Sequence, residues 1–249
     1  EDAKYIYENS SEQVFLEGIF THLSIGLGSV FNKQIENFKN ITGDIDLSKV
    51  PIVHLDRSLT LEQHEKIDFA NGVRLGLIMY GFNKRKYIPS KKRQIVNMLM
   101  GRKNTFVPSK LSLSMMTKLI TNVIEIKKVN KGEVVGYAGM NNDNQEKMVA
   151  ILPIGFADFA YISSGMEVSI NGKRYKVAVV NMDVCMVEVD NDVKLWDSVE
   201  IFGDNISIRE VSDKIGVNVY KILLSVTDRV PRVYKKKNDI YEMKYRRMP

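Results

Sequence analysis

His22, Ser58 and Arg74, the last followed closely by Gly76, stand where chemistry can happen. His22 closes one apolar run, Ser58 follows another in the turn Asp56-Arg57-Ser58, and Arg74 opens a third. In parallel α/β architectures, polar residues at the carboxyl ends of strands face the ligand crevice, so His22 and Ser58 can meet one ligand there. A hydroxyl, a guanidinium and a glycine N–H together make a cradle for phosphate or another anion. Each residue also has a plain structural reading: His22 as a satisfied structural histidine, Ser58 as a helix cap or turn residue. The three histidines, His22, His54 and His64, have no H-x-x-x-H spacing, and one cysteine cannot supply a metal cluster, so no metal site is expected. Cys185 lies in the run Val184-Cys185-Met186-Val187 and reads as a small buried apolar side chain.

The elements that must hold these residues alternate in type. Apolar patterning predicts strands over 14–22, 51–55 and 73–81, with helices over 29–40 and 61–70 between them. This βαβαβ order argues for parallel strands with helical crossovers, from either an open sheet or a section of a barrel. Thr60-Leu61-Glu62-Gln63 reads as a capping box for the second helix. Beyond residue 110 the period switches to two, with β-like runs at 112–126, 147–152, 166–170, 175–180, 184–189 and 199–202, a mostly antiparallel β domain. Asn171-Gly172 is a two-residue hairpin signal, because both central residues of a type I′ turn need positive φ. Ser207-Ile208-Arg209-Glu210 opens a short helix by a capping box, and 217–225 reads as another.

With 249 residues and 44% apolar content the chain can bury a substantial core. It lacks the roughly 18 uninterrupted apolar residues of a membrane span. It also lacks the basic start and apolar run of a signal peptide, so a cytoplasmic location without membrane partners is expected. The first residue is Glu rather than Met, which reads as a piece of a longer chain. The net charge is +6, yet residues 84–110 hold nine Lys or Arg and no acid, so removing those nine leaves about −3 on the rest. That segment reads as a solvated linker with an insertion, the alternative being an anion- or nucleic-acid-binding patch. Its sparse aromatic interleaving argues against single-strand binding.

Seven short blocks then fall in one order: Gly18-Ile19-Phe20-Thr21-His22; Gln34 with Phe38; Val73-Arg74-Leu75-Gly76 through Tyr80-Gly81; Gly132-Glu133-Val134-Val135-Gly136-Tyr137; Leu152-Pro153-Ile154-Gly155-Phe156-Ala157-Asp158; Met182-Asp183; and Arg229-Val230-Pro231-Arg232. In this order and spacing, over about residues 15–234, the chain resembles the alanine racemases. The resemblance implies an isomerase that interconverts L- and D-alanine with pyridoxal 5′-phosphate. It implies a fold of α/β plus β: residues 1–108 as the C-terminal part of a (β/α)8 cofactor-binding barrel with a basic linker at 84–108, and residues 109–249 as the C-terminal β domain. It further implies a small amino-acid substrate and a homodimer in which barrel and partner β domain share each active site.

Carried over position by position, Arg74 resembles the arginine that hydrogen-bonds the cofactor's pyridine nitrogen, and His22 the histidine packed beside it. A fixed cation there disfavours ring protonation and weakens the electron sink. Ser58 would bind phosphate with the backbone N–H groups of Gly76 and Leu77. From the partner subunit, Met182 would offer its backbone N–H to the substrate carboxylate, and Asp183 would lie near the entrance. The departures are equally specific. The family's catalytic tyrosine falls on Asn141, an amide that cannot act as a proton-transferring base. A phosphate-binding tyrosine falls on Asp228, whose charge would repel phosphate. Two gate arginines map to Ile162 and Val179, and the cofactor's lysine belongs to a first barrel strand that this chain lacks. The alternative function is therefore a catalytically silent binding or regulatory relative. A residue of the basic insertion, or the neighbouring Asn142 and Asp143, could replace the missing base, and in another register Tyr137 would be the family's tyrosine.

Overall fold

The computed structural model describes residues 2–82 apart from 59, 62 and 65, and then 113, 115–136, 140–141, 145–236 and 239–244. The basic segment 84–110, Tyr137, Asn142 and Asp143 lie outside the described residues. The chain divides into two compact units, Glu1–Met116 and Thr117–Pro249.

In the first unit, α1 (Asp2–Glu8) precedes a parallel sheet in the order β1 (Gly18–Phe20), β2 (Ile52–Arg57) and β3 (Gly72–Arg74). Phe20 pairs with His54, and His54 with Gly72. Helix α2 (Gly28–Ile41) crosses from β1 to β2. Its residues Phe31, Ile35 and Phe38 recur at helical spacing and line one face, packing on a core that includes Leu23, Val53 and Leu55. Because side chains alternate along a strand, burying Val53 and Leu55 on that core turns His54 to the opposite face of β2.

Three expectations change here. The strand expected over 14–22 is only three residues long. The run 73–81 is β3 followed by a 3-10 turn, Leu77–Tyr80, closed by Gly81 at φ 82°. The helix expected over 61–70 is a series of turns among the described residues. Thr60 and Gln63 direct their side chains to Asp56 and to the Gly26 N–H, and such side-chain bonds compete with helix formation.

In the second unit, the described residues form a seven-stranded antiparallel sheet. Its order is β4 (Leu119–Asn122), β12 (Ser198–Phe202), β9 (Glu167–Ile170), β10 (Lys173–Val180), β11 (Cys185–Val189), β8 (Lys147–Leu152) and β5 (Glu125–Val129). Register shifts in β10 and β12 bend the sheet, so that β10 serves both of its halves. The run 112–126 is split, because β4 pairs with β12 while β5 pairs with β8. Asn171 and Gly172 take φ of 51° and 81°, the turn that joins β9 to β10. Ser207 caps α3 (Ile208–Ile215) by accepting the Glu210 N–H, and α4 (Val219–Leu224) follows. Two-residue strands β6 (Val134–Val135) and β7 (Met140–Asn141) pair with each other, and β13 (Arg232–Lys236) pairs with β14 (Asp239–Lys244). Cys185 is fully buried, and burial pushes its thiol up to about 12, so it stays protonated and inert. No helix among the described residues is long and apolar enough to cross a membrane.

Candidate active site

The carboxyl ends of the three parallel strands gather a bonded cluster around Arg74. Its Nη1 donates to His54 Nδ1 at 2.8 Å, and its Nη2 donates to the Thr21 carbonyl at 2.9 Å and approaches His22 Nδ1 at 3.4 Å. The guanidinium carbon sits 5.0 Å from the centroid of the Phe20 ring, and that ring stacks on His54 at 5.2 Å. Pairing of Phe20 with His54 across β1 and β2 sets this stack. Burial first, and then the neighbouring Arg74 cation, hold the His54 imidazole below the usual histidine range. His54 is thus a neutral acceptor at Nδ1, and it fixes the plane in which the guanidinium lies. His22 is exposed at the rim of the cluster. Sequence reasoning named Arg74 and His22 but missed Phe20 and His54 as their partners. The alternation Val53-His54-Leu55 put His54 on the free face, but only the strand register gives its neighbour.

Ser58 lies in the turn after β2, and its Oγ accepts the Gly76 N–H at 2.6 Å. This ties the end of β2 to the turn after β3. The Gly76 N–H, expected to face an anion, is therefore engaged by the serine. That bond leaves the hydroxyl proton of Ser58 to be donated. Leu77 opens the following 3-10 turn.

In the second unit, the β10–β11 turn carries Met182 and Asp183 and is bonded to residues 155–158. Ala157 N–H donates to the Met182 carbonyl at 2.9 Å and Phe156 N–H to the Asn181 carbonyl at 3.2 Å. Arg229 joins the two segments, with Nε 3.0 Å from Asp158 and Nη2 2.6 Å from Asp183. Asp158 also accepts the Gly155 N–H at 3.0 Å. The Met182 N–H makes no hydrogen bond among the described residues. Asp183 is held by Arg229. Ile162 and Val179 are buried, so the positions matched to gate arginines belong to the interior of this unit. Asp228 is exposed. Asn141 is in β7, opposite Val134. No group of His, Cys, Asp and Glu among the described residues could hold a metal.

Residues 1–84 match the family model described as alanine racemase, N-terminal domain, and residues 116–234 match the one described as alanine racemase, C-terminal domain. The chain belongs to the alanine racemase family. The alanine racemase of Streptococcus gordonii is 30% identical over 231 residues, which is 89% of this chain and 57% of that protein. The solved alanine racemase of Clostridium difficile 630 is 25% identical with a TM-score of 0.77, covering all of this chain and 63% of that one. The alanine racemase of Bacillus anthracis with bound L-Ala-P is 27% identical with a TM-score of 0.71, covering 92% and 57%. The chain spans a little over half the length of the curated alanine racemases it matches. As a member of this family, it carries a parallel sheet that is part of a (β/α)8 barrel, followed by the family's β domain.

Proposed function

We propose that this chain is the cofactor- and carboxylate-binding portion of a pyridoxal-phosphate-dependent alanine racemase whose second proton-transfer position has been replaced. The observation that carries the reading is the Arg74 cluster, a cation held on a ring-and-imidazole platform at the carboxyl ends of parallel strands. A cation so oriented meets an uncharged ring nitrogen as a hydrogen-bond donor, whereas a carboxylate there would demand a protonated one. Ser58 offers a hydroxyl donor to phosphate, with Gly76 and Leu77 forming the backbone of the cradle and His22 packing beside Arg74. These donors suit a phosphorylated pyridine. Pyridoxal phosphate, when bound, supplies an electron sink for the electron pair left as the substrate α-proton is removed. Across the dimer, Met182 binds the carboxylate of the substrate held in the other subunit's barrel through its backbone N–H, and Asp183, held by Arg229, borders it.

The substrate class is a small amino acid, alanine by family. The homodimer, with each site shared between barrel and partner β domain, and the cytoplasmic location belong to the same reading. The register carried over from the family supports the alternative of a silent binding or regulatory relative. Asn141 and Asp228 stand at the two tyrosine positions, and neither can do what a phenol does there. The test is made on the full-length protein mixed with pyridoxal phosphate. A visible absorption band reducible by borohydride, together with racemisation of alanine followed by circular dichroism, supports the enzyme. Cofactor binding with no racemisation supports the silent relative, and neither signal removes both.

A further inference from the structure

A buried polar cluster lies directly behind the Ser58 turn, and no role assigned so far uses it. Asp56 is 6% exposed and Thr60 fully buried. One oxygen of Asp56, Oδ1, accepts the Thr60 hydroxyl at 2.8 Å and meets His64 Nε2 at 2.8 Å. The Thr60 Oγ1 in turn accepts the Arg57 N–H at 3.1 Å, and the Thr60 and Leu61 N–H groups both donate to the Arg57 carbonyl at 3.0 Å. The His64 ring stacks on Phe31 of α2 with centroids 4.5 Å apart. Arg57 reaches the other way, donating to the Leu23 and Ser24 carbonyls at 2.9 and 2.8 Å. Ser58 is thus carried between Arg57 and Thr60, two residues bonded to each other, and Thr60 is pinned through Asp56 to His64 and the helix face.

Burying a carboxylate, a hydroxyl and an imidazole in an apolar unit is costly unless each is bonded, and removing one partner leaves the others unsatisfied. A cluster of this kind fixes one geometry of the turn from Arg57 to Thr60 among the several that such a turn can adopt. The hydroxyl it presents, Ser58 Oγ, is also the atom that captures the Gly76 N–H.

We infer that Asp56, with Thr60 and His64, is the positioning group for Ser58, setting the affinity of the cradle for the phosphate of its ligand. The inference rests on the proposed phosphate role of Ser58. Asp56 and His64 touch no ligand atoms; they act through the turn.

The experiment compares pyridoxal phosphate with pyridoxal, which lacks the phosphate, as ligands for the full protein, reading each dissociation constant by absorbance titration. The variants are His64→Phe, which keeps the stack on Phe31 but loses the donor, His64→Gln, which restores a donor, and Asp56→Ala. The wild type should prefer pyridoxal phosphate. In His64→Phe and Asp56→Ala that preference should fall roughly tenfold or more, the loss of one hydrogen bond to a charged group, with pyridoxal affinity unchanged. His64→Gln should recover part of it. If Asp56→Ala fails to fold, the two His64 variants decide the matter. A preference that survives in folded variants, or an equal loss for both ligands, overturns the positioning role alone. A wild type without any preference for the phosphate overturns the cradle and this inference with it.

Discussion

Arg74 donates through Nη1 to His54 Nδ1 at 2.8 Å, which makes the imidazole an acceptor and leaves its proton on Nε2. Burial and the adjacent cation both depress the His54 pKa below the ordinary 6.5. Between the two values the folded state binds fewer protons than the unfolded state, so stability increases with pH in that window. The stabilisation is present above about pH 6.5 and is lost as pH falls through the folded value. Chemical denaturation across pH 4–8 should show this slope, and His54→Phe should reduce it. An identical slope in the variant would remove His54 from the account.

Reversing the charge at Arg74 tests the cation's role in the proposed reading. Arg74→Glu in the full-length protein should raise the pKa of the facing ring nitrogen and change the bound cofactor's absorption spectrum. A variant that binds the cofactor with an unaltered spectrum would show that Arg74 does not face that nitrogen.

Gly155 offers a sharp steric test of the packing beneath the Met182 turn. A Cβ at this position would lie 2.2 Å from the Met182 carbonyl oxygen and 2.5 Å from that of Asn181, both backbone atoms that cannot rotate away. Gly155→Ala should destabilise the protein by roughly 1–3 kcal/mol, as overpacking does, and should displace the Met182 N–H. Thermal unfolding together with the Met182 amide resonance checks both effects. A wild-type melting temperature with an unmoved resonance would contradict the packing described.

On the proposed reading, Asn141 decides between a working and a silent racemase. Proton transfer on both faces of the substrate α-carbon requires two groups, and an amide cannot be the second. The full-length protein should therefore racemise alanine about 10²–10⁴-fold more slowly than its relatives, the usual cost of losing a positioned acid–base group. Asn141→Tyr should recover part of the rate, and Asn141→Ala should leave it unchanged. Ordinary enzyme rates in the wild type would show that another residue supplies the proton.

The β domain was largely written in local pattern. Residues 147–152 are a short apolar run and form β8 at those bounds, and Asn171-Gly172 carries its own positive-φ turn, because run length and turn chemistry act over a few residues. The parallel order of the first strands was legible for the same reason, as were Arg74 and Ser58 as polar groups at strand ends. Two capping boxes of the same type show where local reading stops. Ser207 accepts the Glu210 N–H and a helix follows, whereas the Thr60 hydroxyl turns to Asp56 and the chain continues as turns. The difference lies outside both four-residue motifs. The buried carboxylate of Asp56, which also meets the His64 imidazole, takes the Thr60 hydroxyl, and only the fold brings the three together. Tertiary structure likewise decided that Ile162 and Val179 face the interior and that His54 meets Arg74. Burial and register depend on which strands pair, and one residue's neighbours across a sheet are not encoded near it in the chain.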